Sequence, residues 1–565
     1  MTKFYQEVID FSNTQQLSDQ FEQLLKLPLH STEEILFYLQ EETKLLDAIE
    51  EALTGHYIDF NSYNDSEEAK KAFEQDQEVI EPLVKQYEAK LDQKLLASKA
   101  LEQLPEEEYA FMLKRKKNAE SLFRKENVRL EIEEDRLATN YFEITGAAVV
   151  EWEGEQLTLP QLSPFLQDTD RKKRKKAMTA IRETFIESEE PLQKIMSELI
   201  EIRQKKAEYA NLANYRDYMF KKYERFDYSP EDCKTLAASI AKHVKPLKEK
   251  LQKEHAKKLG VDTYLPWDVS AVLAGEERLK PFSNTAELID GVRNVLGELD
   301  PRFAELIEQM NQKGMLDLES RKGKSPGGFC APLPISELSF IFMNHAKTHD
   351  DMITLFHEMG HCIHNDFKKE LPLQIYRETP MESSELASMT MELLTMDKWE
   401  QFYPTKADFM RAKKEQMKGI IQFLPVGVVI DQFQHWLYEY PNHSVEERNQ
   451  KYAELLTEID SNFVDWSGFE KWREIAWLGV LHIFEVPFYY IEYVIAQLGA
   501  VQMYRQYKEN KNQTLTNYKE AMALGSSKSL AEVYEKAGIR FDFSEEMIKE
   551  LVEFLETELT LLEQE

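Results

Sequence analysis

Cysteine is almost missing from this chain. Only Cys233, Cys330 and Cys362 occur in 565 residues, odd in number and far apart. No disulfide framework can be read from them, which suits a reducing compartment. Glycine (19) and proline (20) are scarce for the length, so few positions interrupt a helix. With Glu, Lys, Leu and Ala abundant, the composition favours a mainly α protein. No run of about twenty apolar residues occurs, which argues against a membrane span. The start, Met1 to Asp10, acquires acidic residues before any apolar run develops, so no secretory signal is read there. These absences together point to a cytoplasmic protein. Positive charge is also short, with 70 Lys and Arg against 102 Asp and Glu and a formal charge of −32. That field repels nucleic acid and anionic lipid, and neither is expected as a partner.

What is present is enough for a large body. Hydrophobic residues make up 42%, ample for a core at this length. Ser31-Thr32-Glu33-Glu34 has the form of a capping box and opens an amphipathic stretch to about Leu53. Val149 to Trp152, then Glu153-Gly154, then Gln156 to Leu159 reads as a small hairpin. Arg171 to Lys176 is six basic residues in a row, read as the solvated start of a helix rather than a nucleic-acid patch. Residues 261–285 read as a long connection, and residues 321–334 hold the densest cluster of helix breakers. Leu338 to Phe342 follows as a candidate strand, and from Asp350 the pattern is helical almost to the end. The expected division, with a soft boundary, is an N-terminal helical region over 1–195 and a second region over 196–565.

One local signal carries chemistry: His357-Glu358-Met359-Gly360-His361. Residues four apart on a helix lie about 40° apart around the axis and about 6 Å along it. Both imidazoles can therefore converge on one ion, with Glu358 beside them to handle a proton without being a ligand. Neutral nitrogen donors with a carboxylate base are the residue types that zinc hydrolysis requires. Asp350 and Asp351 fall in the first turn of the expected helix, where carboxylates favour the dipole. Catalytic zinc needs a third protein ligand. The longer pattern that supplies a third histidine is excluded, since its positions are occupied by His364 and Phe367. The stretch Met381 to Glu392 is the better source. Its many small residues permit close approach to a neighbouring helix, and Glu385 and Glu392, seven apart, share a face. One could bind metal while the other braces an imidazole through its second nitrogen. Glu378 and Glu382 remain rivals, because spacing alone does not choose.

Several stretches in order carry a resemblance: Asn214-Tyr215-Arg216-Asp217-Tyr218, Leu355 to His361, the Glu385 to Glu392 segment, and the tyrosine-rich stretch after His482. Over at least residues 200–500 the chain resembles the oligoendopeptidase F and Pz-peptidase branch of the thimet-oligopeptidase-like (M3) metallopeptidases. The resemblance implies a large, two-lobed, multi-helix body with a deep central channel and a few short strands near the zinc site. It implies one zinc ion per chain held by His357, His361 and Glu385, with Glu392 behind the ligands. It also implies short peptides as substrates, cut internally, with Glu358 as general base. His482 and the nearby tyrosines Tyr489, Tyr490 and Tyr493 are the implied region of neutral donors to the oxyanion. Their spacing departs from the family, so the choice among the tyrosines stays open, with Tyr490 and Tyr493 preferred.

Gly327 and Gly328 would let a substrate backbone approach, and the open edge of the strand containing Ser339 and Phe340 would pair with an extended peptide. His345, His349, His364 and His435 read as structural or solvent-facing, and Cys330 and Cys362 as inert thiols. Two alternatives compete: a metallocarboxypeptidase on a related helical fold, and an acidic helical binding protein with no chemistry.

Overall fold

The computed structural model describes residues 4–6 and 8–564. Residues 1–3 and Glu7, on which the leader reading partly rests, lie outside the described residues. The architecture is mainly α, with five short strands among the described residues. None of those helices is long and apolar enough to cross a membrane. The chain forms two compact units, each assembled from three stretches.

The first unit comprises Met1–Lys125, Leu279–Lys413 and Ile495–Phe541. Ser31 caps the helix Thr32–Ser62, its hydroxyl accepting from the Glu34 N–H at 3.3 Å. The Glu34 carboxylate accepts from His30 N–H rather than from the cap residue itself, so the capping box is incomplete. This helix continues two turns beyond the expected end near Leu53. One apolar core packs Phe21, Ile35, Tyr38, Leu91 and Met112 at or near zero exposure.

The same unit holds a three-stranded sheet, which the sequence only partly revealed. Label the strands in chain order β1 (Val149–Trp152), β2 (Glu155–Thr158), β3 (Leu316–Glu319), β4 (Phe329–Leu333) and β5 (Leu338–His345). β5 lies in the middle, parallel to β3 and antiparallel to β4. β4 sits inside the breaker cluster. Pro332 is tolerated because β4 is the terminal strand of the sheet, where a missing N–H need not break a ladder bond.

The second unit comprises Glu126–Arg278, Lys414–Val494 and Asp542–Glu565. It contains the antiparallel β1–β2 hairpin, turned at Glu153 (φ 53°) and Gly154 (φ 91°). The basic run opens the helix Arg171–Glu187 as expected, but it is not simply solvated. Arg174, 2% exposed, and Arg171 both bind the buried Asp268 carboxylate at 2.6–2.9 Å. A buried carboxylate needs such partners, and two guanidinium groups supply them.

The motif Asn214 to Tyr218 also finds a structural reason. Asn214 caps the helix Tyr215–Lys222 by accepting from Asp217 N–H at 2.9 Å. The Tyr215 hydroxyl reaches Glu134 at 3.3 Å. Glu134 also receives Arg203 and Lys206, each at 2.6 Å, in a buried charge network. Those two cations hold the Glu134 carboxyl well below its ordinary range, although burial alone would raise it.

Candidate metal centre and aromatic cluster

His357, Glu358 and His361 lie on the helix His349–Lys368. Thr348 caps it in a reciprocal box with Asp351: the Thr348 hydroxyl accepts from Asp351 N–H, and the Asp351 carboxylate accepts from Thr348 N–H at 2.7 Å. Glu385 and Glu392 lie on the helix Met381–Leu394.

Gly360 lets these two helices touch. A Cβ at Gly360 would stand 2.4 Å from Ser388 Cα and 2.8 Å from the Ala387 carbonyl oxygen. Only glycine fits there, and only small residues can face it. The close approach carries Glu385 to the histidines. Its Oε2 lies 3.2 Å from His357 Nε2 and 3.7 Å from His361 Nε2. One atom from each of His357, His361 and Glu385 falls within 4.8 Å of the others. On the far side of the ring, His357 Nδ1 meets Glu392 Oε1 at 2.8 Å, and the Ser388 hydroxyl donates to Glu385 Oε2 at 3.0 Å.

Glu378 and Glu382 do not join this group among the described residues. Glu378 instead takes Gln374 and Arg115. His364, 2% exposed, is also outside it; burial pushes its pKa well below the ordinary value.

The electrostatics are those of a site built for a cation. Burial pushes the Glu358 carboxyl up to about 7, with Glu385 and Glu392 adding to the rise. Its Oε2 has no hydrogen-bond partner. Burial pulls His361 down to about 4, which keeps its imidazole neutral and able to donate a lone pair. Burial would lower His357 as well, but the Glu385 and Glu392 carboxylates override it and hold the ring's pKa well up. Two imidazoles, one converging carboxylate and an adjacent acid without a partner fit a divalent zinc ion better than they fit one another.

The sheet expectations need correction. β5 is the central strand of the sheet, so Ser339 and Phe340 have a neighbour on at least one side. They pair with Pro332 and Ala331 of β4, and β3 joins on the other side from Ile341 onward. Both side chains are committed to the interior, at 2% and 3% exposure. The Ser339 hydroxyl accepts from Asn365, and the Phe340 ring stacks on Phe4.

Gly327 has a local reason of its own, a φ of 99°. A Cβ at Gly328 would press to 3.3 Å on the Phe342 carbonyl. Cys330 and Cys362, 32 positions apart, bring their sulfurs to 3.5 Å where β4 lies by the motif helix. Both are free thiols.

In the second unit, His482 gathers the three tyrosines. Its ring centroid lies 5.7 Å from Tyr489, 5.1 Å from Tyr490 and 5.7 Å from Tyr493. Its Nε2 is 3.4 Å from the Tyr493 hydroxyl. The cluster forms around a backbone reversal at Phe488, a buried residue with φ 67°. Phe488 is held by donating its N–H to Gln434 and by accepting from Arg225.

Sequence reasoning missed Gly360 as a contact residue and a second donor group, Cys233, Asp431 and His435. The four-residue spacing of Asp431 and His435 was the available signal.

Over 98% of this chain and 99% of the other, the fold matches a solved structure of Pz peptidase A with an inhibitor, at a TM-score of 0.92 and 26% identity. Group B oligopeptidase PepB of Streptococcus agalactiae serotype III (strain NEM316) is 22% identical over 68% of this chain and 63% of its own length. An oligoendopeptidase F homolog of Lactococcus lactis subsp. lactis (strain IL1403) is 22% identical over 72% and 66% respectively. The chain thus spans a little under two thirds of the length of these curated relatives. The model of peptidase family M3 matches residues 165–553, a range that includes both glutamates, both histidines of the motif and the tyrosine cluster, and the chain belongs to that family.

Proposed function

We propose that this chain is a zinc metalloendopeptidase that hydrolyses internal bonds of short oligopeptides. The observation that carries the reading is the convergence of His357 Nε2, His361 Nε2 and Glu385 Oε2 beside Glu358, whose Oε2 has no hydrogen-bond partner. His357, His361 and Glu385 would hold the ion. When bound, zinc supplies a water acidified to a pKa of about 7 and polarises the scissile carbonyl.

The chain's own groups do the rest. Glu358 Oε2 takes the proton of the attacking water and returns it to the departing amine. A carboxyl already raised toward neutrality by burial suits both halves of that exchange. Glu392 fixes the tautomer and orientation of His357 through Nδ1. Ser388 holds Glu385 Oε2. His482, Tyr490 and Tyr493 take the role of neutral donors to the developing oxyanion, a role that rests on family membership and on the hydroxyl and imidazole chemistry they bring. Tyr489 joins them as a substrate contact. Short peptides are the substrates by analogy with the oligopeptidases named above.

A peptide blocked at both ends tests the reading. Internal cleavage that disappears in Glu358→Gln, while His357 and His361 still bind metal, is the expected result. Failure of the unmodified chain to cut that peptide anywhere would overturn endopeptidase action.

A further inference from the structure

The buried donors outside this centre form a second group. Asp431 and His435 lie four apart on the helix Lys406–Glu439 and so share a face. Cys233 stands in the first turns of the helix Pro230–Leu259. One ligand atom from each of the three falls within 4.8 Å of the others. We propose that Cys233, Asp431 and His435 form a buried cation site that takes a borderline-soft divalent ion, zinc being the best match.

Geometry, burial and charge each support this. His435 Nε2 lies 3.2 Å from Asp431 Oδ2. Bonds of about 2 Å at a tetrahedral ion place neighbouring donors roughly 3.3 Å apart. That approach is not aligned as a hydrogen bond: neither ring nitrogen of His435 has a hydrogen-bond partner, nor does Asp431 Oδ1. Cys233, Asp431 and His435 are 1%, 0% and 2% exposed. Phe220 and Phe488 meet the His435 ring edge to face at 5.9 Å and 5.5 Å. Asp431 Oδ2 accepts from Gln432 Nε2 at 3.0 Å, but Oδ1 and the imidazole lose their hydration with no hydrogen bond in return, a cost of several kcal/mol if the carboxylate is charged.

A divalent cation removes that cost. With one thiolate, one carboxylate and one neutral imidazole, the assembly is electrically neutral, as an apolar interior demands. The thiol proton leaves to solvent when the ion binds. A thiolate in the set favours zinc over magnesium or calcium, which prefer oxygen alone. The alternative use of these residue types, a cysteine nucleophile with a histidine base, needs a thiol that substrate can reach, and Cys233 is buried. The site instead ties two helices of one unit together, as a structural ion does.

The test uses the full chain reconstituted with cobalt(II). The peptidase centre has no sulfur ligand, so a near-ultraviolet thiolate-to-cobalt charge-transfer band reports on Cys233 alone. The band is expected in the unmodified chain and in Glu385→Ala, and is expected to vanish in Cys233→Ser. Zinc analysis should give two equivalents in the unmodified chain and one in each variant. Where Cys233→Ser does not fold, His435→Gln and the unmodified chain still decide. No charge-transfer band in the unmodified chain, or a band that survives Cys233→Ser, overturns the site. Loss of the peptidase reading would show separately, as zinc retained in full by Glu385→Ala with the band intact.

Discussion

His357 and His361 keep 19% and 16% of their side-chain surface open, whereas Asp431 and His435, also four apart on a helix, keep 0% and 2%. The first pair stands beside an acid, Glu358, with an oxygen left unpartnered, and behind it Glu392 and Ser388 brace the donors. The second pair has aromatic walls. On the readings proposed above, the same helical spacing serves two purposes. Catalytic zinc keeps an accessible position and a base, while structural zinc is closed and needs neither. Spacing assembles donors; surroundings decide what the ion does.

The sharpest way to break the comparison is Glu358→Gln. Removing the base should lower cleavage of an end-blocked peptide by about 10²–10⁴-fold, with zinc content unchanged at both sites. Residual activity within tenfold of the original would mean Glu358 is not the base. The same substitution should stabilise the metal-free protein. Burial raises the folded Glu358 carboxyl to about 7 from an ordinary 4.5. Between those values the unfolded chain has released its proton and the folded chain has not, so rising pH favours unfolding. That penalty is absent below the unfolded value and complete above about pH 7, where it is on the order of 3 kcal/mol. Glutamine has no such proton, and denaturant melts of the apoprotein at pH 5 and pH 8 would show a flatter profile in the variant.

Gly360→Ala comes next. A methyl group 2.4 Å from Ser388 Cα meets backbone, which cannot rotate away. The two helices must separate, at about 1–3 kcal/mol, and Glu385 retreats from the histidines. Thermal melting should drop and zinc affinity at the peptidase centre should fall, while the cobalt–thiolate signal of Cys233 stays. A variant that melts and binds zinc like the original would show that the helices do not depend on that contact.

These residues also show what a sequence can reveal. The motif histidines were legible because they are neighbours on one helix. Glu385 was one of four candidates by spacing, and it took family resemblance to prefer it. The interhelix contact that selects it runs through Gly360, a position that reads as filler inside the motif. The helical character followed from composition, but β3 and β4 did not. β3 is only four residues long, and β4 carries a proline and follows two glycines. With β4 hidden, β5 looked like an edge strand, whereas β4 pairs along Leu338–Phe342 and β3 joins from Ile341. Cys233 lies 198 positions before Asp431, a separation across which no local pattern operates.

Glu392→Ala is a smaller perturbation. It leaves all three donors of the peptidase centre in place and removes only the 2.8 Å partner of His357 Nδ1. Zinc affinity there should fall about 10–100-fold, and the cobalt–thiolate band should not change. An equal loss at both sites would point to general unfolding instead of a local effect.

Ser388→Ala should have the smallest effect, and it separates packing from hydrogen bonding at one residue. Alanine keeps the small surface that faces Gly360, so the helices should stay in contact. What is lost is the hydroxyl that donates to Glu385 Oε2 at 3.0 Å. The hydroxyl proton is shared with the Glu385 carbonyl oxygen, so the bond to the carboxylate falls at the low end for a charged acceptor, about 1.5 kcal/mol, or roughly tenfold in zinc affinity. Zinc titration of the apoprotein would resolve that change, with the melting temperature of the metal-free chain held nearly constant. A drop in melting temperature as large as that of Gly360→Ala would mean the hydroxyl supports the helix pair itself. In that case, the contact that builds the centre and the bonds that tune it would not be separable.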